Sequence, residues 1–309
     1  MKGGDKVQKL NPLNDFIFQK LFGEKGDEEQ LLSFLNAVLK RTSRDKLTNI
    51  EILENKTLTA EIIGDKMSIL DIRAVAEEST KVNIEVQLRN LGNMDRRSLF
   101  YWSTEYSRGI GAGQDYRLLP NVIAINIVNF EFIPVDDFHT TFHLWEDKHR
   151  HMLTDALEIH FVDMVKFKRL LGKDIKNEPL HRWLSFFDKD TSNDVLEEVF
   201  NMDMAIQLAS EKMNFLSSDK EALRLYQMRE MALSDFTSGM NYAREEGLKE
   251  GLKEGKIEGK IEGKIEGEYT KSLEIAKNLL MKELSIDLIS EATGLHELQI
   301  KQLQKDLNI

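Results

Sequence analysis

Cysteine is absent from this chain, which excludes disulfides and thiolate metal sites and agrees with a reducing compartment. No apolar run approaches the about 18 residues needed to cross a bilayer, and "MKGGDKVQKL" lacks the apolar segment of a secretory signal, so the cytoplasm is the expected address and no membrane partner is expected. A basic excess is missing too. The net charge of −11 argues against a generally basic nucleic-acid glue, so any DNA contact has to be local. Against these absences stands 41% apolar content in 309 residues, enough for a larger cored domain and a second region.

After a polar leader, "NPLNDFIFQKLFG" and "EEQLLSFLNAVLK" carry apolar residues at helical spacing, with Asn14 or Asp15 as N-cap and Gly23 as stop. "NIEILE" reads as a strand. "MSILDIRAVAEESTKVNIEVQLRN", Met67 to Asn90, then alternates with period two, and a polar turn "EEST" divides it into a hairpin. Leu70, Ile72, Ala74 and Ala76 form one apolar face, matched by Val82, Ile84, Val86 and Leu88. "NMDRRSLFYWSTEYSRG" reads as helix, "PNVIAINIVNF" as a buried strand, and "TTFHLWED" with "LEIHFVDMVKF" as a second hairpin. From Pro179 onward nearly everything fits helix, which sets an expected boundary near residue 175.

One stretch is of low complexity, the four-residue repeat "EGLKEGLKEGKIEGKIEGKIEGE" from Glu246 to Glu268. Each repeat overshoots a helical turn by about 40°, so it draws no straight apolar stripe. Its six glycines each cost a helix about 1 kcal/mol against alanine. In the EGKI form Lys256, Lys260 and Lys264 stack at i,i+4, as do Glu254, Glu258 and Glu262. A flexible tether and a helix paired with a second copy are both compatible. The tail "SLEIAKNLLMKELSIDLISEATGLHELQIKQLQ" reads as two or three short helices turning at "TGL"; its late lysines, Lys301 and Lys305, are opposed by Asp287, Glu291 and Glu297, so it suits packing or oligomerisation better than DNA recognition.

Acids pack poorly on a half-buried pleated surface, yet Asp71 and Glu85 stand inside the first hairpin. With Glu78 at the centre of the turn, Asp71 faces Glu85 with Cβ atoms about 5 Å apart, and Gln87 lies two residues along the same side. Two such carboxylates repel unless one takes a proton or a cation lies between them. Magnesium suits the second case, because it binds through one or two carboxylates, keeps its waters and coordinates phosphate oxygens. The bland alternative is a solvated strand face on which the acids pair with Arg73 and Arg89.

The ordered set "NDFIFQKLFG", "LDIRAV", "NIEVQ", "YWSTEYSRGIGAGQDYRLLPNVIAINIVNF", "FHLWED" and "LEIHFVDMVKF" resembles the PD-(D/E)xK nuclease family transposases, also called recombination-promoting nucleases. The resemblance runs from about Asn11 to Phe167 and loosely into the repeat and tail. It implies an α/β, restriction-endonuclease-like core, a mixed sheet flanked by helices, followed by a mainly helical C-terminal region, and metal-dependent DNA cleavage. By position Asp71 matches the first motif acid and Glu85 the second, while Gln87 stands where the superfamily has lysine. Glutamine orients water but brings no positive charge, so the metal or a nearby cation, Arg73, Arg89 or Arg97, has to supply it. Asp15 matches the extra helical acid of related nucleases or serves simply as an N-terminal helix acid.

"GIGAG", Gly109 to Gly113, follows a helix and so reads as a helix exit, not a phosphate loop. The seven histidines are scattered; His149 and His151 lack further ligands at zinc spacing. No G-x-S-x-G elbow supports serine chemistry. Arg96, Arg97 and Arg108 interleave with Phe100, Tyr101, Trp102 and Tyr106, a mixture suited to phosphates and unpaired bases, although most of these aromatics are expected in the core. The expected organisation is a nuclease-like domain over 1–175, a helical region over 176–245, the repeat over 246–268 and a helical tail over 269–309. The expected activity is Mg2+-dependent DNA endonuclease, with Mn2+ as substitute: Asp71, Glu85 and Gln87 form the site, Arg89, Arg96, Arg97 and Arg108 contact DNA, and the chain acts as a homodimer or higher oligomer. The alternative is an inactive scaffold or assembly protein of a mobile-element or defence system.

Overall fold

The computed structural model of the chain describes residues 9–41, 45–53, 72–77 and 79–307. Helix α1 (Asp15–Phe22) starts where the extended Asn14 side chain accepts the backbone N–H groups of Phe16 and Ile17, and Gly23 closes it on the Gln19 carbonyl. Helix α2 (Glu28–Val38) follows. Strands β1 (Ile50–Ile52), β2 (Ile72–Ala76), β3 (Thr80–Gln87), β4 (Val122–Val128), β5 (His139–Trp145) and β6 (Met152–Asp163) form one mixed sheet in the order β1-β2-β3-β4-β6-β5. The pair β3 and β4 is parallel, as is β4 and β6, while β1, β2 and β5 join antiparallel. A parallel pair needs a crossover, and α3 (Met94–Ser107) lies between β3 and β4.

The hairpin register is the one the alternation predicts. Ile72 pairs with Ile84, Ala74 with Val82 and Ala76 with Thr80, and Glu77 takes a positive φ of 53° where the chain reverses. Asp71 and Glu78 lie outside the described residues. One sheet face presents Ile72, Ala74, Ala76, Val82, Ile84, Val86, Ile123, Ile125 and Ile127, all buried in the main core with α1 and α2. After β6 comes α4 (Met164–Arg169), then α5 (Pro179–Phe187), α6 (Asn193–Met202) and α7 (Met204–Ser218). Trp183 and Phe187 of α5 join Phe18, Phe22 and Phe34 in a fully buried aromatic cluster, with the Phe18 and Phe22 centroids 4.8 Å apart and Phe22 and Trp183 5.4 Å apart. The change of pattern near residue 175 is therefore a switch from sheet to helix within one core. The division into compact units falls between Asp235 and Phe236.

The other sheet face is narrower in its apolar content. Met94, Ala124, Val128, Leu157, Ile159 and Phe161 form a small cluster there, against which Trp102 of α3 packs. Contrary to expectation, the α3 aromatics are not mainly core: Phe100 is 64% exposed, and Tyr101, Trp102 and Tyr106 are half-buried. The reason is the sheet beneath α3, which presents polar Asn83, Glu85 and Asn126 and leaves little apolar surface to cover.

Helix α8 (Lys220–Leu280) contains the repeat, which is helical and not a coil tether. Its glycines meet nothing within 4 Å of an added Cβ, and two ion pairs brace it, Glu246 with Lys249 at 3.4 Å and Lys264 with Glu268 at 3.8 Å. In the unit from Phe236 to Ile309, Ala276, Leu280, Ile289, Leu295 and Ile300 form a separate core from the end of α8, α9 (Ile286–Thr293) and α10 (Glu297–Asp306). Gly294 takes the left-handed conformation at φ 72° that ends α9, and His296 with Gln299 makes a capping box on α10. No helix among the described residues is long and apolar enough to cross a membrane.

Candidate active site

Because β3 alternates, Val82, Ile84 and Val86 enter the main core while Asn83, Glu85 and Gln87 turn to the α3 side. Glu85 is only 1% exposed. Its carboxylate lies 2.6 Å from a terminal guanidinium nitrogen of Arg97, which reaches down from α3 and rests 5.4 Å from the Tyr101 ring centroid. Beside Glu85 in the parallel register is Asn126, 3% exposed, whose Nδ2 donates to the His160 carbonyl at 3.1 Å. Ser98 Oγ lies 3.0 Å from Asn126 Oδ1 and 2.8 Å from the Met94 carbonyl, so the α3 start is pinned to the sheet next to Glu85. The bland reading of a solvated strand face is overturned for Glu85, which is buried and pairs with Arg97.

Gln87 ends β3 half-buried, and its Nε2 donates to the Arg89 carbonyl at 3.1 Å. Burial holds Arg89 below the usual arginine value; the Arg229 charge acts in the same sense and Glu230 opposes it. Arg229 itself, from α8, is 5% exposed and grips both carboxylate oxygens of Asp15, with Nε at 2.9 and 2.8 Å and its terminal nitrogen closer still. Next to it Asn14 Nδ2 donates to Glu230 at 2.6 Å. Asp15 is thus a helix acid engaged by Arg229, a residue that sequence reasoning missed. Nothing local points to it, since 214 positions separate the pair.

Arg73 and Arg108 do not join Glu85. Arg73 reaches the buried Glu105 of α3 at 2.7 Å, with Arg108 at 3.9 Å and Lys81 at 4.0 Å from the same carboxylate. Arg96 is exposed on the outer side of α3, beside Leu99 and Phe100. Among the described residues no group of three or more histidines, cysteines or acids is arranged to hold a metal ion. The donor chemistry nevertheless suits a hard cation: Glu85 and Gln87 offer oxygen on one strand side, without imidazole or sulfur.

Residues 12–243 match the family model described as PD-(D/E)XK nuclease family transposase. The chain belongs to this family. The match takes in the sheet, α1 to α7 and the first part of α8, so Asp15 and Arg229 fall within it together with Glu85 and Gln87. No curated protein and no solved structure matches the chain significantly. Family membership supports a nuclease or transposase type of function and, with it, DNA as the substrate class.

Proposed function

We propose that the chain is a divalent-metal-dependent DNA endonuclease that hydrolyses phosphodiester bonds. The observation that carries the reading is Glu85, a carboxylate buried in mid-strand with a cation at 2.6 Å and Gln87 two residues on. Glu85 and Asp71 would hold the metal, Mg2+ or its substitute Mn2+. Such an ion, when bound, polarises the phosphodiester and lowers the pKa of water. The remaining work falls to this chain's own side chains. Gln87 orients the attacking water or the scissile phosphate through its amide, and Arg96, Arg97, Arg89 and Arg108 neutralise the DNA backbone. Water adds to phosphorus and gives up one proton as the P–O bond to the leaving sugar oxygen breaks, and that oxygen takes up a proton in turn.

Two chains, each with one such site, would cut both strands, so a homodimer is the proposed working form. The test is cleavage of a labelled duplex by the full chain after EDTA treatment. The reading expects inert protein that Mg2+ or Mn2+ restores, whereas cleavage indifferent to chelation contradicts it. One observation favours the rival reading of an inactive scaffold: Gln87 leaves the lysine position uncharged. Inert protein with every metal, on duplex and single strands alike, would put that reading first.

A further inference from the structure

A carboxylate as buried as Glu85 cannot lean on bulk water and needs a positive charge beside it. In the structure Arg97 fills that need, and the neighbouring cations are engaged elsewhere: Arg73, Lys81 and Arg108 converge on Glu105, and Arg229 grips Asp15. A divalent cation at Glu85 would meet the Arg97 guanidinium on the same oxygens, and two positive charges sharing one carboxylate repel. Arg97 also has somewhere else to rest, because the Tyr101 ring one turn along α3 already lies 5.4 Å from its guanidinium carbon.

On the reading of Glu85 as a metal-holding acid, we infer that Arg97 is an exchangeable counter-ion, which neutralises Glu85 before loading and yields it to the cation. The released guanidinium then stands beside the site with its forked donors free for a phosphate oxygen, and it supplies the positive charge that Gln87 lacks. Arg97 is by this account a positioning residue for the carboxylate first and a phosphate contact second. Because binding free energies are reciprocal, Arg97 weakens the cation by as much as the cation weakens Arg97's hold on Glu85.

The experiment is Mn2+ titration of the full-length chain by calorimetry, with Glu85→Gln and Arg97→Gln alongside wild type. The expected result is a wild-type site lost in Glu85→Gln and tightened about tenfold in Arg97→Gln, the change that about 1.4 kcal/mol of coupling produces. Arg97→Gln should nonetheless cut DNA more slowly at saturating Mn2+, and Arg97→Lys, which keeps the charge, should recover part of that rate. Wild-type binding that needs Glu85 but is unchanged or weakened in Arg97→Gln overturns the counter-ion role and leaves the active-site reading standing. Absence of any binding that depends on Glu85 overturns both. Where Arg97→Gln does not fold, NMR of the wild-type chain decides the question instead. The Arg97 Nε signal should move on adding Mg2+ while that of Arg73, held by Glu105, stays; an unmoved Arg97 signal overturns the inference.

Discussion

Glu85 and Arg108 show how widely the cost of a charge ranges in this protein. The Glu85–Arg97 pair is nearly dry, so removing Arg97 strands a buried carboxylate, whereas Arg108, 65% exposed, meets Glu105 only at 3.9 Å from the solvent side. We expect Arg97→Ala to destabilise the chain by about 3–5 kcal/mol and Arg108→Ala by no more than about 0.5 kcal/mol, read from urea midpoints at neutral pH. Equal effects would contradict the burial argument. A half-buried histidine contributes to the acid limb. His139 Nε2 lies 2.9 Å from His160 Nδ1, whose ring reaches Glu158 at 2.8 Å, and burial, aided by the His160 charge, lowers the His139 pKa to about 4. The folded form therefore resists a proton that the unfolded chain takes near 6.5. Stability falls as pH drops from about 6.5 towards 4, by roughly 2–3 kcal/mol from this group. His139→Gln should flatten that limb in a pH series of thermal melts; an unchanged limb would assign the acid sensitivity elsewhere. Residue spacing located Glu85 and Gln87 on one strand side, and the family resemblance, with Gln87 in the lysine's place, made Arg97 one of three candidate cations. The packing of α3 then brings Arg97 to Glu85, while Arg73 is drawn off by Glu105.

Local rules were most legible in the elements. The cap at Asn14 or Asp15, which the structure puts on Asn14, the Gly23 stop, the register of β2 on β3 and the Gly294 exit from α9 all follow from short-range chemistry, and all are present in the structure. Less legible was α3, whose aromatics suggested a core helix although the sheet beneath it is largely polar at Asn83, Glu85 and Asn126. The repeat posed the opposite difficulty, since its glycines argue against the helix that α8 forms. That conflict yields a prediction. An added Cβ at Gly255 or Gly259 meets nothing within 4 Å, so Gly255→Ala with Gly259→Ala should raise helical stability by up to about 1 kcal/mol per site. Circular dichroism melts of the full chain would show it. A loss of helicity would mean that close backbone approach, for example by a second copy, requires glycine there.

At the scale of the whole molecule, the strand-then-helix grammar disclosed a helical C-terminal part and the family resemblance implied the α/β core, but neither showed where the core ends. Sequence pattern changes near residue 175, whereas Trp183, Phe187, Ile206 and Tyr226 all complete the core built on α1, α2 and the sheet. Long-range burial of this kind leaves no local trace. A fragment of residues 1–175 should accordingly fail to melt cooperatively, while one of residues 1–235 should do so, and Trp183→Ala should cost the full chain about 3–5 kcal/mol. Cooperative melting of the shorter fragment would refute this placement of the core. The central claim is that a buried acid on β3 belongs to a metal-dependent nuclease site, and nicking of supercoiled plasmid by the full chain tests it most directly. With Mg2+ or Mn2+ present, wild type should convert the supercoiled form, and Asp71→Ala and Glu85→Ala, at equal concentration and with wild-type circular dichroism, should not. Undiminished nicking by the two variants would contradict the account.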